Sequence, residues 1–292
     1  SSAASDVYKR QTLQYLYGFI DYSLTHQDRY APENFDLGRM RDFLDRLDRP
    51  QERYPIIHIA GTKGKGSVAA LCASALQAAG YRVGLYTSPH LSDYAERIRL
   101  DGEPIPHQEL IVLVDEVRPI LDAGTELTTF EITTALALLY FARQGATAVV
   151  FEVGLGGRLD ATNVVTPIVS VITSISYDHT MFLGESLSEI AREKAGIIKP
   201  GVPVVAAPQT EEPRRMIEQI AAERGAPLTL VDRDYHFYLL DHDLDRQTFE
   251  VCQISAGAGR NGDCDGSRGS TRVVRLTIPL LGAHQVENAV TA

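Results

Sequence analysis

The sequence predicts an α/β protein built on a P-loop-type, mainly parallel sheet. Helices cover both faces, and a small antiparallel β extension lies near the C-terminus. Three observations predict this. Short apolar runs of strand character alternate with helical runs from residue 56 to about 232, the pattern of a sheet whose crossovers are helices. One strand enters a loop with glycines at 61, 64 and 66 and leaves it as a helix, which is how a phosphate-binding loop is built. After Asp232, three strand-like runs follow one another with no helix between them.

Residues 1–55 read as helices. Leu13, Leu16, Tyr17 and Ile20 recur at helical spacing over 6–22, and 37–47 repeats the pattern until Pro50 ends it. Within the α/β core, 56–232, the strand from Ile56 leads into the glycine loop, and 68–79 is a helix closed by Gly80. A short strand follows at 83–86. Residues 111–121 and 131–143 read as helices, 147–153 and 168–172 as buried strands, and 185–195 as a helix. Strand 202–206, helix 211–224 and strand 228–231 complete the alternation. The segment 233–281 carries antiparallel strands at 235–240, 248–254 and 272–278. Its stretch 256–270, rich in Gly, Ser, Asp and Asn, has almost nothing to bury and is expected to be a flexible hairpin tip. A new helical pattern begins near Ala283, so 282–292 reads as the start of a hinge helix.

A chain of 292 residues can bury a substantial core. A net charge of −10 disfavours nonspecific binding to nucleic acid or acidic membranes. No apolar run reaches the roughly 18 residues needed to span a bilayer. Small-molecule substrates, no nucleic acid and no membrane are the expected partners. Cys72, Cys252 and Cys264 show no metal-type spacing; they read as reduced thiols of a cytoplasmic protein in preference to a Cys252–Cys264 disulfide.

The loop Gly61-Thr62-Lys63-Gly64-Lys65-Gly66-Ser67 departs from G-x-x-x-x-G-K-[ST] at two places. Ile59 stands for the first glycine and Gly66 for the hydroxyl residue. Glu152, at the end of an apolar strand, is placed to hold Mg²⁺, and a solvent-facing carboxylate is the alternative. The glycine-rich stretch 154–163 is either a ligand loop or a plain connection. On spacing alone His179 reads as a turn residue, with a second metal ligand or a charge contact as the alternative, and Lys194 as a solvated lysine at a helix end. Ser88 either offers a hydroxyl to a cation or shapes the turn before Pro89. Thr128 and Phe130 read as an N-cap and a core aromatic, with hydrogen bonding and stacking on a planar ring as the alternative.

Taken together, these strings resemble the Mur ligase superfamily and, more narrowly, folylpolyglutamate synthase/dihydrofolate synthase. The carrying residues are Gly61-Thr62-Lys63-Gly64-Lys65-Gly66-Ser67, Tyr86-Thr87-Ser88-Pro89-His90, Phe130-Glu131, the stretch from Glu152 through Asn163, Asp178-His179, Arg192-Glu193-Lys194-Ala195-Gly196-Ile197, and Gly282-Ala283-His284-Gln285-Val286-Glu287-Asn288-Ala289. The family loop usually has Asn where this chain has Lys63.

The resemblance implies an ATP-dependent ligase. It would join L-glutamate to dihydropteroate, or to the γ-carboxylate of a folate, through an acyl phosphate, forming ADP and phosphate. By resemblance, Gly61 to Ser67 with Lys65 would hold the ATP phosphates and Asn288 the adenine. Two Mg²⁺ sites are expected: Ser88 and Glu152 would ligate one, His179 the second. Lys194 matches a lysine that is carbamylated in the family. Thr128, Phe130, Asp160 and Ala161 match positions near the pterin. Lys65, Glu152, His179 and Lys194 would carry the chemistry. The family also implies a monomer and a second, C-terminal glutamate-binding domain. Residues 1–292 are accordingly expected to be the ATP-binding domain alone, making little product by themselves. Against this reading stand a P-loop small-molecule kinase, another Mur-type amide ligase and a non-catalytic nucleotide-binding module.

Overall fold

The structure, a computed structural model, describes residues 2–19, 37–124, 126–177, 183–254 and 270–292. The expected second metal ligand His179, its neighbour Asp178, and 256–269 of the expected hairpin tip lie outside them. Among the described residues the main sheet has eight strands: β1 (Ile56–Ala60), β2 (Val83–Tyr86), β3 (Ile98–Leu100), β4 (Glu103–Pro104), β5 (Ala148–Glu152), β6 (Val169–Ile172), β7 (Val204–Ala206) and β8 (Leu228–Leu230). Their order is β4-β3-β2-β5-β1-β6-β7-β8. From β2 to β8 all pairs are parallel, and β3 and β4 add an antiparallel edge.

Nine helices accompany them among the described residues. They are α1 (Ser2–Tyr17), α2 (Leu37–Arg46), α3 (Lys65–Ala78), α4 (His107–Asp122), α5 (Thr129–Arg143), α6 (Leu187–Ala195), α7 (Glu211–Glu223), the short α8 (Val231–Asp234) and α9 (Ala283–Thr291). Every residue of β5 is buried, as expected of a central parallel strand covered on both faces. On one face Val68, Ala69, Cys72 and Ala73 of α3 pack against Ile59, Val83, Val150 and Val171. The other face carries two groups of helices. Helices α4 and α5 lie over Ile56, Tyr86, Val149 and Phe151, while α6 and α7 lie over Ile172, Val204 and Ala206. Helix α5 is apolar nearly all round because it is enclosed on all sides. It approaches β2 so closely that a Cβ on Gly84 would sit 2.7 Å from the Phe141 ring.

The antiparallel extension has the order β11-β10-β9, with β9 (Tyr235–His242), β10 (Gln247–Ile254) and β11 (Ser270–Ile278). Phe249, Ile278 and Val286 of α9 form its core, with Leu71 of α3 packed against them. The extension therefore sits on the helix that begins at the glycine loop.

Three differences from the sequence reading have physical causes. Strands β3 and β4 are too short to show a period, and a turn at Asp101 (φ 52°) and Gly102 (φ 86°) joins them. Helices α3 and α4 begin earlier than their apolar stripes, at Lys65 and His107, because first turns are polar. Cys252 is disulfide-bonded, which corrects the reading of reduced thiols at that residue. Cys72 is free and buried, its thiol pushed up to about 11 by burial.

Candidate active site

The parallel strands end along one edge of the sheet, where α/β folds bind ligands. The register sets Ile59 beside Glu152 and Ala60 beside Ile172, so the segments after β1, β5 and β6 leave the sheet side by side. Gly61 follows β1 with φ 151°; a Cβ there would lie 1.8 Å from Thr173 Oγ1. Thr62 N–H donates to the Ser174 carbonyl at 2.9 Å, and Thr62 Oγ1 donates to the Ser176 carbonyl at 3.2 Å. Lys63 is exposed and bridges to Ser174. Gly64 caps α3 in a left-handed conformation (φ 85°), and a Cβ on it would lie 2.3 Å from Asn288 Oδ1. The N–H groups of the first turn of α3 have no intrahelical acceptor, which makes this end of the helix a fit for an anion.

Glu152 is 4% exposed. Its carboxylate accepts from Ser88 N–H at 3.1 Å and faces Gly66, whose ideal Cβ position is 3.7 Å from Oε1. Burial pushes the carboxyl up to about 7; the Lys65 charge and the Ser88 N–H oppose that shift. A buried carboxylate beside a hydroxyl residue offers hard oxygen donors of the kind Mg²⁺ takes. Glu152 and Ser88 therefore fit such an ion. Among the described residues no cluster of three His, Cys, Asp or Glu forms a fuller cage.

Lys194 lies in the last turn of α6 and is 2% exposed. Its Nζ donates to the Gly61 carbonyl at 2.9 Å. The solvated lysine that spacing alone suggests is thus buried against the glycine loop. The stretch after β5 approaches it from the other side. A Cβ on Gly157 would lie 2.7 Å from the Lys194 carbonyl, and Arg158 pairs with Glu193 through both its backbone N–H and its guanidinium.

The remaining predicted residues surround that stretch. Thr128 caps α5, accepting from Glu131 N–H at 3.2 Å while Glu131 accepts from Thr128 N–H at 2.7 Å. Arg39 donates to the same carboxylate at 2.8 Å. The Phe130 ring occupies the space a Cβ on Gly154 would need, at 2.5 Å. Asp160 is buried and caps the short helical turn that begins at Ala161. Its Oδ2 accepts from Leu155 N–H at 2.8 Å and its Oδ1 from Thr162 N–H at 2.9 Å. Burial raises its carboxyl above the usual range.

The structure thus brings 61–67, Ser88, Glu152, Lys194 and Asn288 around one loop, with Phe130, Asp160 and Ala161 along the neighbouring one. Sequence reasoning missed three polar residues that hold these loops, His58 and Thr173 buried and Gln209 half-buried. His58 interrupts an apolar strand, a visible signal. Thr173 follows β6 and lies against Gly61. Gln209 donates to the Thr173 carbonyl at 2.9 Å and accepts from Ile175 N–H at 3.1 Å, and nothing in its local sequence marks it.

Comparison with known proteins agrees with this arrangement. Residues 59–292 match the Mur ligase middle domain. The chain is 47% identical over 197 residues to the dihydrofolate synthase/folylpolyglutamate synthase of Bacillus subtilis, covering 65% of this chain and 46% of that one. It is 36% identical over 290 residues to the folylpolyglutamate synthase of Lacticaseibacillus casei, covering 97% and 62%. A solved FPGS–AMPPCP–folate complex superposes with a TM-score of 0.82 at 34% identity, over 97% of this chain and 65% of that one. The chain spans about half the length of the curated relatives it matches. On the matched domain, the shared fold and this loop arrangement, the chain belongs to the Mur ligase superfamily, in its folylpolyglutamate synthase/dihydrofolate synthase branch.

Proposed function

We propose that this chain is the ATP-binding domain of a ligase that joins L-glutamate to dihydropteroate, to the γ-carboxylate of a folate, or to both. The observation that carries the reading is the buried pair of approaches to the glycine loop: Glu152 facing Gly66 from β5, and Lys194 bonded to Gly61 from α6. Support comes from the relatives, which are folylpolyglutamate and dihydrofolate synthases, and from a solved FPGS that holds AMPPCP and folate.

A carboxylate is a poor electrophile, and phosphorylation supplies a leaving group for attack by the glutamate amine. The α3 N-terminus and Lys65 bind the phosphates and gather positive charge where the transferred phosphoryl group builds negative charge. Asn288, against Gly64, borders the base. Glu152 and Ser88 would hold Mg²⁺, which when bound neutralises phosphoryl oxygens. Phe130 and the 154–161 loop form the acyl-substrate wall. Lys194 orients Gly61; carbamylated, it would turn a cation into an anion suited to a metal-rich site, with His179 as a further ligand. The reading includes a cytoplasmic monomer whose glutamate site lies in a further domain. Among the described residues no helix is long and apolar enough to cross a membrane.

The test is a product assay on the full-length enzyme with ATP, Mg²⁺ and glutamate, offering dihydropteroate and tetrahydrofolate separately. Amide product with ADP and phosphate, dependent on glutamate, is expected. A stable phosphorylated product without glutamate would assign a kinase instead. ATP binding without turnover would assign a non-catalytic module.

A further inference from the structure

We infer that His58 is a positioning residue for the acyl-substrate side of the site, acting through Thr162 on the carboxylate of Asp160. The inference deepens the ligase reading and rests on it only for what the 154–161 loop contacts.

His58 sits in the middle of β1, between β5 and β6, and is wholly buried. Its Nε2 lies 2.9 Å from Thr162 Oγ1. Thr162 in turn donates to Asp160 Oδ1 through both its hydroxyl and its backbone N–H, and Leu155 N–H donates to Oδ2. A hydroxyl has one proton. When that proton goes to the carboxylate, the hydroxyl oxygen accepts, and His58 must donate from Nε2. This assigns the tautomer: a proton on Nε2 and a bare Nδ1. Nδ1 is indeed a buried atom with no hydrogen-bond partner. Doubly protonated, the ring would bury an unpaired N–H, a costlier arrangement. Burial and the charge of Lys199 hold the imidazole neutral, its pKa lowered to about 3.

This chain of bonds fastens the loop after β5 to the strand that carries the phosphate loop. The position it fixes has little slack. A Cβ on Gly154 would meet Phe130 at 2.5 Å and Asp160 Oδ2 at 3.2 Å, and Gly157 already lies against the Lys194 carbonyl. The phosphate loop has its own anchors in Ser174 and Lys194. Loss of the His58 donor therefore loosens 154–162 while 61–67 stays held. The two substrates should respond differently.

The experiment uses His58→Leu, His58→Gln, Thr162→Val and the double variant His58→Leu/Thr162→Val. Glutamine places an amide N–H near the position of Nε2. In the full-length enzyme, His58→Leu is expected to raise the KM for the pteridine substrate about tenfold or more, with the KM for ATP within about twofold; such a loss is about 1.4 kcal/mol. His58→Gln should restore most of it. The double variant should be no worse than Thr162→Val alone, because both cuts fall in one chain. Hydrogen exchange on the present chain gives a readout that does not need ligase activity. Protection of 154–162 should fall in His58→Leu and persist in His58→Gln, with 64–68 unchanged in both. Equal impairment by Gln and Leu, equal rises in both KM values, additive single effects, or unchanged exchange at 154–162 would each overturn the inference. An exchange pattern as expected in an enzyme that makes no amide would overturn the ligase reading alone.

Discussion

Lys194 Nζ donates to the carbonyl of Gly61 at 2.9 Å, tying the last turn of α6 to the first residue of the glycine loop. Lys194→Met keeps the apolar stem and removes the donor. The variant should fold, losing about 1–3 kcal/mol in urea unfolding for the carbonyl left without this partner. In the full-length enzyme, turnover should fall by about 100-fold or more, the scale seen when one preorganised electrostatic contact is removed. Added bicarbonate should raise wild-type turnover, and native mass spectrometry should find the mass of one CO₂ on the wild type and none on Lys194→Met.

Glu152 gives a pH signature. Its carboxyl stands near 7 in the fold against an ordinary value of 4.5, so the native state binds the extra proton between those limits. This group's contribution to stability is fully present below about pH 4.5, falls as pH rises to about 7, and is level above. Glu152→Gln cannot lose it. Denaturation curves should show the variant gaining on the wild type across that window, by at most about 3 kcal/mol. Parallel curves would remove the buried-carboxylate argument. Mg²⁺·ATP binding to the wild type near pH 7 should release a proton, visible as a buffer-dependent heat that Glu152→Gln lacks.

Gly64 has a left-handed backbone and faces Asn288 Oδ1. Gly64→Ala carries two costs, the conformation and the clash, together about 1–3 kcal/mol. Asn288→Ala in the same chain removes only the second. Thermal melts should therefore show partial recovery of Tm in the double variant, while nucleotide affinity, measured by titration calorimetry, stays weak in both.

Glu131 caps α5 and pairs with Arg39. Thr128→Ala should cost about 0.5–2 kcal/mol as a lost cap. Glu131→Ala should cost about 3 kcal/mol or more, because it also strands a partly buried guanidinium. Equal losses in urea unfolding would show that the ion pair contributes little.

Much of the fold was legible because the core strands are short, apolar and separated by helix-length runs. Pairing was less so. Nothing in Ile98-Arg99-Leu100 announces an antiparallel strand between β2 and β4, since three residues carry no period. The glycine loop and Glu152 could be picked out because each follows the end of an apolar strand, and the fold does place Glu152 against Gly66. Lys194 stood out only through the resemblance: its local setting is an ordinary helix terminus, and its partner is 133 residues away. Asp160 shows the reverse case. Its sequence neighbourhood suggests a ligand contact, and the fold also occupies both its oxygens within its own loop.

The contact between Gly64 and Asn288 bears on how the protein is made. Synthesis runs from the N-terminus, so the glycine loop leaves the ribosome long before the residue that covers it. Until α9 emerges and docks on α3, the loop stands open on one side. Nucleotide affinity should then rise in a single step, once the segment around Asn288 has emerged and closes over a loop formed long before it.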